Sequence, residues 1–168
     1  DEQVIGTIFK ENRSLVEFEE LSTFLIDGLV STEDERYYNH SGIDAKSLAR
    51  AISKGGKSGG GSTITQQLAK MLFTNVARNK LDRIKQKLKE WVISVRLERH
   101  YTKNELLTMY FNKLDFVNNA AGIKSASKVY FNKLPGELEI NEAAMFVGMA
   151  KNPSLFNPLK RPDTTLFR

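Results

Sequence analysis

Hydrophobic positions recur along this chain mainly at the spacing of a helix. In "LSTFLIDGLVSTED", Leu21, Leu25 and Leu29 fall at four-residue intervals and predict an amphipathic helix. Asp44 is placed to cap "AKSLARAISK", where Leu48, Ala51 and Ile52 share a face. Thr63 and Gln66 have the spacing of a capping box, with Ile64, Leu68, Met71 and Leu72 following on one side. A longer helix is predicted from near Asp82. Its apolar stripe is Ile84, Leu88, Trp91 and Val95, and its opposite stripe is Arg83, Lys87, Glu90 and Ser94.

Thr102 and Glu105 form a second capping box before "LLTMYFN", and "GIKSASKVYF" and "NEAAMFVGMA" are two more helical segments. Pro153 and Pro158 are expected to close the helical region. Only the first twenty residues, with "QVIGTIF", look strand-like. Between the second and third helices, residues 53–61 carry five glycines and two lysines without an apolar anchor, the composition of a mobile loop. The pattern predicts an all-α domain with a short extended N-terminal segment. Neither a repeat nor a boundary divides residues 1–168.

Composition narrows the function classes. An apolar content of 40% with 27% charged residues is that of a folded globular protein rather than a disordered one. The 25 Lys+Arg against 20 Asp+Glu give a net charge of +5, which favours an anionic partner such as a phosphate, a nucleic acid or an acidic membrane surface. The chain has no cysteine, which excludes disulfides and thiolate metal sites, and its two histidines make a histidine zinc site a poor expectation. No apolar run approaches the ~20 residues of a membrane span. The chain begins at Asp1 without a signal peptide, as expected of a piece of a longer protein.

Three stretches carry candidate chemistry. "GGKS" invites a nucleotide-binding loop, but the position that needs the first glycine holds Ala51, inside a predicted helix, so the motif fails. In the helix after the glycine-rich loop, Thr63, Gln67 and Lys70 share a face, and Gln67 and Lys70 together suit an anion's oxygens at a helix start. The same face also reads as a cap and a solvated surface, and Lys85, Lys87 and Lys89 beside Glu90 pose the same choice. "STEDERYYNHSGID" gathers Glu33, Asp34 and Glu35 with Arg36 and His40. A carboxylate at the end of an apolar helix is partly desolvated, which suits general-base work. His40 reads as a structural hydrogen-bonding residue and Arg50 as a surface arginine.

The ordered set is more specific than any member. "EDERYYNHSGID", "GGSTITQQLAK", "KLKE", "TKNELLTMYFN" and "GIKSASKVYF" resemble, in order and over roughly Val30 to Pro158, the peptidoglycan glycosyltransferases of glycosyltransferase family 51. These are the polymerase domains of class A penicillin-binding proteins and their monofunctional relatives. Two positions depart from the pattern. Tyr37 replaces a phenylalanine, and Gln86 stands where the third motif leads with arginine; Arg83 or Lys85 could supply that charge.

The resemblance implies a lysozyme-like helical fold and an inverting polymerisation of lipid II into β-1,4-linked glycan, with release of undecaprenyl pyrophosphate. It implies Glu33 as the general base. Glu90 is the second carboxylate, at the donor's pyrophosphate end, where it orients cations or holds a divalent ion, Mg2+ or Mn2+. Lys70, Arg78 and Lys87 become the cations for the pyrophosphate, Ser62 and Gln67 their hydrogen-bonding support, and Arg36 and Arg50 the cleft lining near Glu33. The expected partners are lipid II, the growing glycan strand, a membrane surface and moenomycin-type inhibitors, with no nucleic acid. The expected location is the outer face of a bacterial cytoplasmic membrane, with apolar surface near "MLF" or the first segment meeting lipid. Three other readings explain parts of the pattern. They are a lysozyme-like glycan-cleaving enzyme, a non-catalytic basic module for lipid or nucleic acid, and a polymerase domain inactivated at Gln86.

Overall fold

The computed structural model describes residues 14–53, 61–73 and 77–167, with the side chains of Ala51 and Ile52 left outside the description. The strand-like "QVIGTIF" and most of the glycine-rich loop lie outside the described residues. Among those described, the architecture is all-α: α1 (Thr23–Glu33), α2 (Ala45–Ser53), α3 (Ile64–Phe73), α4 (Lys80–His100), α5 (Lys103–Lys113), α6 (Ile123–Phe131), α7 (Ile140–Lys151) and α8 (Pro162–Leu166). The only extended pairing among them is an isolated bridge between Asp115 and Ala121. Residues 18–20, expected to be extended, form a 3-10 turn closed by the Glu17 and Glu20 capping box.

The helix starts follow their capping chemistry. Ser22 accepts from Phe24 N–H at 3.3 Å at the start of α1. Asp44 accepts from Lys46 and Ser47 N–H at 3.0 and 3.2 Å at the start of α2. The Thr102 box is reciprocal, Glu105 N–H donating to the Thr102 hydroxyl at 3.3 Å and Thr102 N–H to the Glu105 carboxylate at 2.7 Å. Helix α4 starts two residues earlier than expected because Asn79 caps it, accepting from Asp82 N–H at 2.8 Å. Pro158 does not end the helical region either, since Pro162 occupies the first turn of α8, where its missing N–H costs nothing.

Helix α3 is the central element, packed on α4 along one side and α5 along another, while α1 packs on α7. Leu25, Leu29, Ile64, Leu68, Leu106, Leu107 and Ile123 are fully buried, so the stripes expected of α1 and α3 do line the core. Leu72 does not; it is exposed beside Phe73 at the α3 end. Phe146 on α7 collects Phe116, Tyr130 and Phe131 edge-on at 5.1, 5.8 and 5.5 Å.

Helix α4 turns half of its expected apolar stripe outward: Ile84 and Leu88 are exposed, whereas Trp91 and Val95 are half-buried. Its buried residues are Gln86, Glu90, Ser94 and Leu97, while Leu81, Ile84, Leu88 and Val92 are more than half exposed. Polar groups turn inward because α3 and the loop before it offer them partners. Gly42, in the segment leading into α2, shows how closely the surrounding chain packs on α4. Its φ is +90°, and a Cβ there would meet the Ser94 backbone at 2.8 Å, so only glycine fits. Among the described residues no helix is long and apolar enough to cross a membrane.

Candidate active site

The last residue of α1 is Glu33, and its carboxylate is half-buried against α3, where Gln67 Nε2 donates to Oε2 at 3.1 Å. The next residue, Asp34, leaves the helix with φ −157° and is buried. Its carboxylate caps α3, accepting from Ile64 N–H at 3.0 Å, and also accepts from His40 Nε2 at 3.0 Å. That bond fixes the His40 tautomer with the proton on Nε2, in line with the structural role expected of this residue. The adjacent acids thus divide the work: Asp34 ties α1 to α3, and Glu33 is left facing Gln67.

The stretch after Glu33 is clamped from behind. Lys103 Nζ donates to His40 O at 2.7 Å and to Glu98 at 2.8 Å, and lies 4.2 Å over the Tyr37 ring. Tyr37 in turn donates its hydroxyl to Lys103 O at 2.9 Å, so the aromatic swap from the family pattern adds a hydrogen bond. Burial, and then the Glu98 charge, push the Tyr37 phenol well above the usual tyrosine range.

Neighbouring glutamines on α3 point to different charged groups. Gln67 reaches Glu33, whereas Gln66 Oε1 accepts from Lys87 Nζ at 3.2 Å. The expected capping box is therefore only half present. The Thr63 hydroxyl accepts from Gln66 N–H at 3.1 Å, but Gln66 Oε1, the atom that would accept from Thr63 N–H, accepts from Lys87 instead, and Gln66 Nε2 donates to Gly42 O at 3.2 Å. Lys87 also donates to Ser62 Oγ at 2.7 Å and to Glu90 Oε2 at 3.1 Å. An ammonium has three donors, and all three are used. Glu90 is 4% exposed, and burying its charge would cost several kcal/mol without such a partner. Ser62, Lys87 and Glu90 are thus brought together as expected, and Gln66, expected only as a cap, joins them.

The other expected cations lie in a neighbouring cleft of about 410 Å³ lined by Lys70, Arg78, Asn79, Lys80, Arg83 and Gln86. Gln86 is a buried wall residue there, while Arg83 and Lys80 bring charge to the same cleft and Lys85 is not among its lining residues. Gln67 is separated from this cleft although it shares a predicted face with Lys70. Arg36 is committed to Asp44, with Nη2 2.6 Å from Oδ2, and also donates to Ser47 Oγ at 3.2 Å. Arg50 is exposed and donates to the same hydroxyl at 3.2 Å. Burial raises the Asp44 carboxyl's proton affinity, but the Arg36 and Ser47 hydrogen bonds and the Arg36 charge outweigh it and hold the pKa at about 2.

Sequence reasoning did not single out Tyr110. It is fully buried on α5, yet its hydroxyl donates to Gln67 Oε1 at 3.1 Å. Burial, and then the negative charge of Glu33, push its phenol well above the usual range, so it stays a donor. The hints in the sequence are its place inside the motif "TKNELLTMYFN" and a tyrosine where the α5 stripe calls for a plain hydrocarbon.

The all-α fold thus brings together a helix-end carboxylate, a lysine paired with a buried glutamate and an adjoining cationic cleft. The profile of the Transglycosylase family matches residues 1–168. The chain is 41% identical over 163 residues to penicillin-binding protein 1F of Bacillus subtilis, covering 95% of this chain and 22% of that protein. It is 37% identical to penicillin-binding protein 2a of Streptococcus pneumoniae over 168 residues, 100% of this chain and 22% of the relative. Penicillin-binding protein 1A of Escherichia coli is 36% identical over 172 residues, 100% of this chain and 20% of the relative. The chain therefore belongs to the transglycosylase family, the family 51 glycosyltransferase domain shared by class A penicillin-binding proteins. It spans about a fifth of the length of these curated relatives.

Proposed function

We propose that this domain polymerises lipid II. The acceptor's 4-hydroxyl attacks the anomeric carbon of the growing strand's terminal sugar, its proton passes to the Glu33 carboxylate, and the bond to undecaprenyl pyrophosphate breaks. An α-linked pyrophosphate becomes a β-1,4 linkage, so the displacement inverts. Glu33 suits the role because Gln67 holds it half-buried at the end of α1, within reach of a bound hydroxyl.

The leaving group dictates the rest. A departing pyrophosphate builds up negative charge, and preorganised cations lower that barrier because they need not reorganise during the reaction. Lys87 is preorganised by its three acceptors, and Lys70, Arg78 and Arg83 line the cleft beside it. A pyrophosphate oxygen would take the place of one neutral acceptor, Ser62 or Gln66, while Glu90 keeps Lys87 aimed. Arg36, through Asp44 and Ser47, and Arg50, through Ser47, would shape the rim near Glu33.

Among the described residues, no three His, Asp or Glu side chains gather as a metal cage. Glu90 is the residue that would hold a Mg2+ or Mn2+ ion, which would supply charge neutralisation at the leaving pyrophosphate. The exposed row Leu81, Ile84, Leu88 and Val92, with Leu72 and Phe73 nearby in sequence, suits a lipid surface carrying the donor's polyprenyl tail. A moenomycin-type inhibitor, a phosphoglycolipid, would draw on the same cationic cleft. In bacteria the reaction belongs on the outer face of the cytoplasmic membrane.

The observation that carries the reading is the pairing of a positioned carboxylate with a separate cation cluster. A glycan-cleaving enzyme needs a general acid but no anion site for a pyrophosphate. The test is polymerisation of labelled lipid II by the protein and by Glu33→Gln. Long strands from the native protein and at least about a 100-fold loss in a folded variant are expected. Equal activity in both would remove Glu33 from the mechanism.

A further inference from the structure

Tyr110 is a buried hydroxyl that the reaction as described does not use. Its side chain is fully enclosed, edge-on to Phe111 at 5.9 Å, and cannot touch a substrate. It is nevertheless two hydrogen bonds from the proposed base: the phenol donates to Gln67 Oε1 at 3.1 Å, and Gln67 Nε2 donates to Glu33 Oε2 at 3.1 Å.

The direction of this chain follows from donor and acceptor chemistry. An ionised carboxylate only accepts, so the amide nitrogen of Gln67 must face Glu33 and the amide oxygen must face Tyr110. A flipped amide would set its oxygen against the Glu33 carboxylate, acceptor against acceptor. The Glu33 carboxylate therefore selects one of the two amide orientations, and the phenol, donating to the amide oxygen that this leaves, holds the amide in place before any substrate arrives. A phenylalanine would keep the shape and lose that hold.

The geometry points to Tyr110 as a positioning residue: acting through Gln67, it holds the Glu33 carboxylate in the orientation that receives the acceptor hydroxyl's proton. This assignment rests on the reading of Glu33 as the base. Displacing a reacting group by ~1 Å can cost about 100-fold in rate, so an amide no longer held reaches the chemistry without reaching the substrate. The effect belongs in kcat, because the Tyr110 side chain is shielded from bound lipid II.

The test uses the whole protein with Tyr110→Phe, Gln67→Ala and the pair combined. It measures kcat and KM for lipid II, thermal unfolding, and the NMR signals of the Gln67 side-chain amide without substrate. Tyr110→Phe should lower kcat about 3- to 10-fold, the worth of one neutral hydrogen bond, with KM within about twofold. It should shift the Gln67 amide pair, and on the Gln67→Ala background it should cost almost nothing further, since the path is already cut. An unchanged kcat, or an equal loss in both backgrounds, would overturn the assignment. Unmoved Gln67 amide signals would remove the relay itself. A native protein that makes no polymer would remove the base reading instead, and the amide signals would still show whether Tyr110 orients Gln67.

Discussion

Helices α1 and α4 carry equally clear apolar stripes, and the fold treats them oppositely. Leu25 and Leu29 of α1 are wholly buried against α7, whereas Ile84 and Leu88 of α4 are 59% and 53% exposed. The polar stripe of α4 lies inside because Ser62 and Gln66 supply acceptors for Lys87, and Glu90 supplies its counter-charge. Periodicity locates a stripe on a helix; what the neighbouring elements offer decides which side faces in. A helix that buries Gln86 and Glu90 while showing Leu81 and Leu88 is built around a site rather than around a core.

The contrast can be broken most sharply by truncating one leucine on each helix. Leu25→Ala leaves a cavity in a fully packed region and should cost about 2–5 kcal/mol in urea unfolding. Leu88→Ala removes a side chain already in solvent and should change stability by less than ~0.5 kcal/mol. Comparable losses at both positions would mean that α4 is packed against something on its outer face. Replacing Leu81, Ile84, Leu88 and Val92 together with serine sharpens the same point. Binding to vesicles of phosphatidylethanolamine and phosphatidylglycerol should weaken by roughly tenfold or more, because little else on that face buries apolar area. Unchanged binding would place the lipid contact elsewhere.

A smaller effect separates the rim from both helices. The Asp44 carboxyl is depressed from 3.8 to about 2, so its stabilising contribution is complete above about pH 4 and is lost as the pH falls through about 2. With Arg36 partly exposed, that contribution is ~1–2 kcal/mol. Asp44→Asn should flatten the acid side of the stability profile by that amount. An unaltered profile would show that the Arg36 pair contributes nothing to folding.

What could be read from the sequence was local. The caps at Asp44 and at Thr102 with Glu105 involve residues two or three apart, and the α1 stripe repeats within one helix. What could not be read was the partner across space. Lys87 and Ser62 are 25 positions apart, and Tyr110 and Gln67 are 43 apart, so nothing in either segment announces the bond. The spacing of Gln66 fits a capping side chain, but Lys87 takes its amide oxygen and the Gly42 carbonyl its amide nitrogen. Asp34 has the same history: beside Glu33 it looks like an alternative base, and only its bonds to Ile64 and His40 reveal a strut. The ordered motifs pointed to the family and so to Glu33 and Glu90; the geometry gives them separate partners, Gln67 and Lys87.

The central claim is that the inward polar face of α4 stabilises a departing anion, with Lys87 as its preorganised cation. The most direct measurement is single-turnover polymerisation of lipid II by Lys87→Ala, with thermal unfolding as the control. A fall in rate of about 100-fold or more in a protein that still folds is the predicted result. Undiminished turnover in that variant would contradict the account and make the Lys87–Glu90 pair an ordinary structural ion pair.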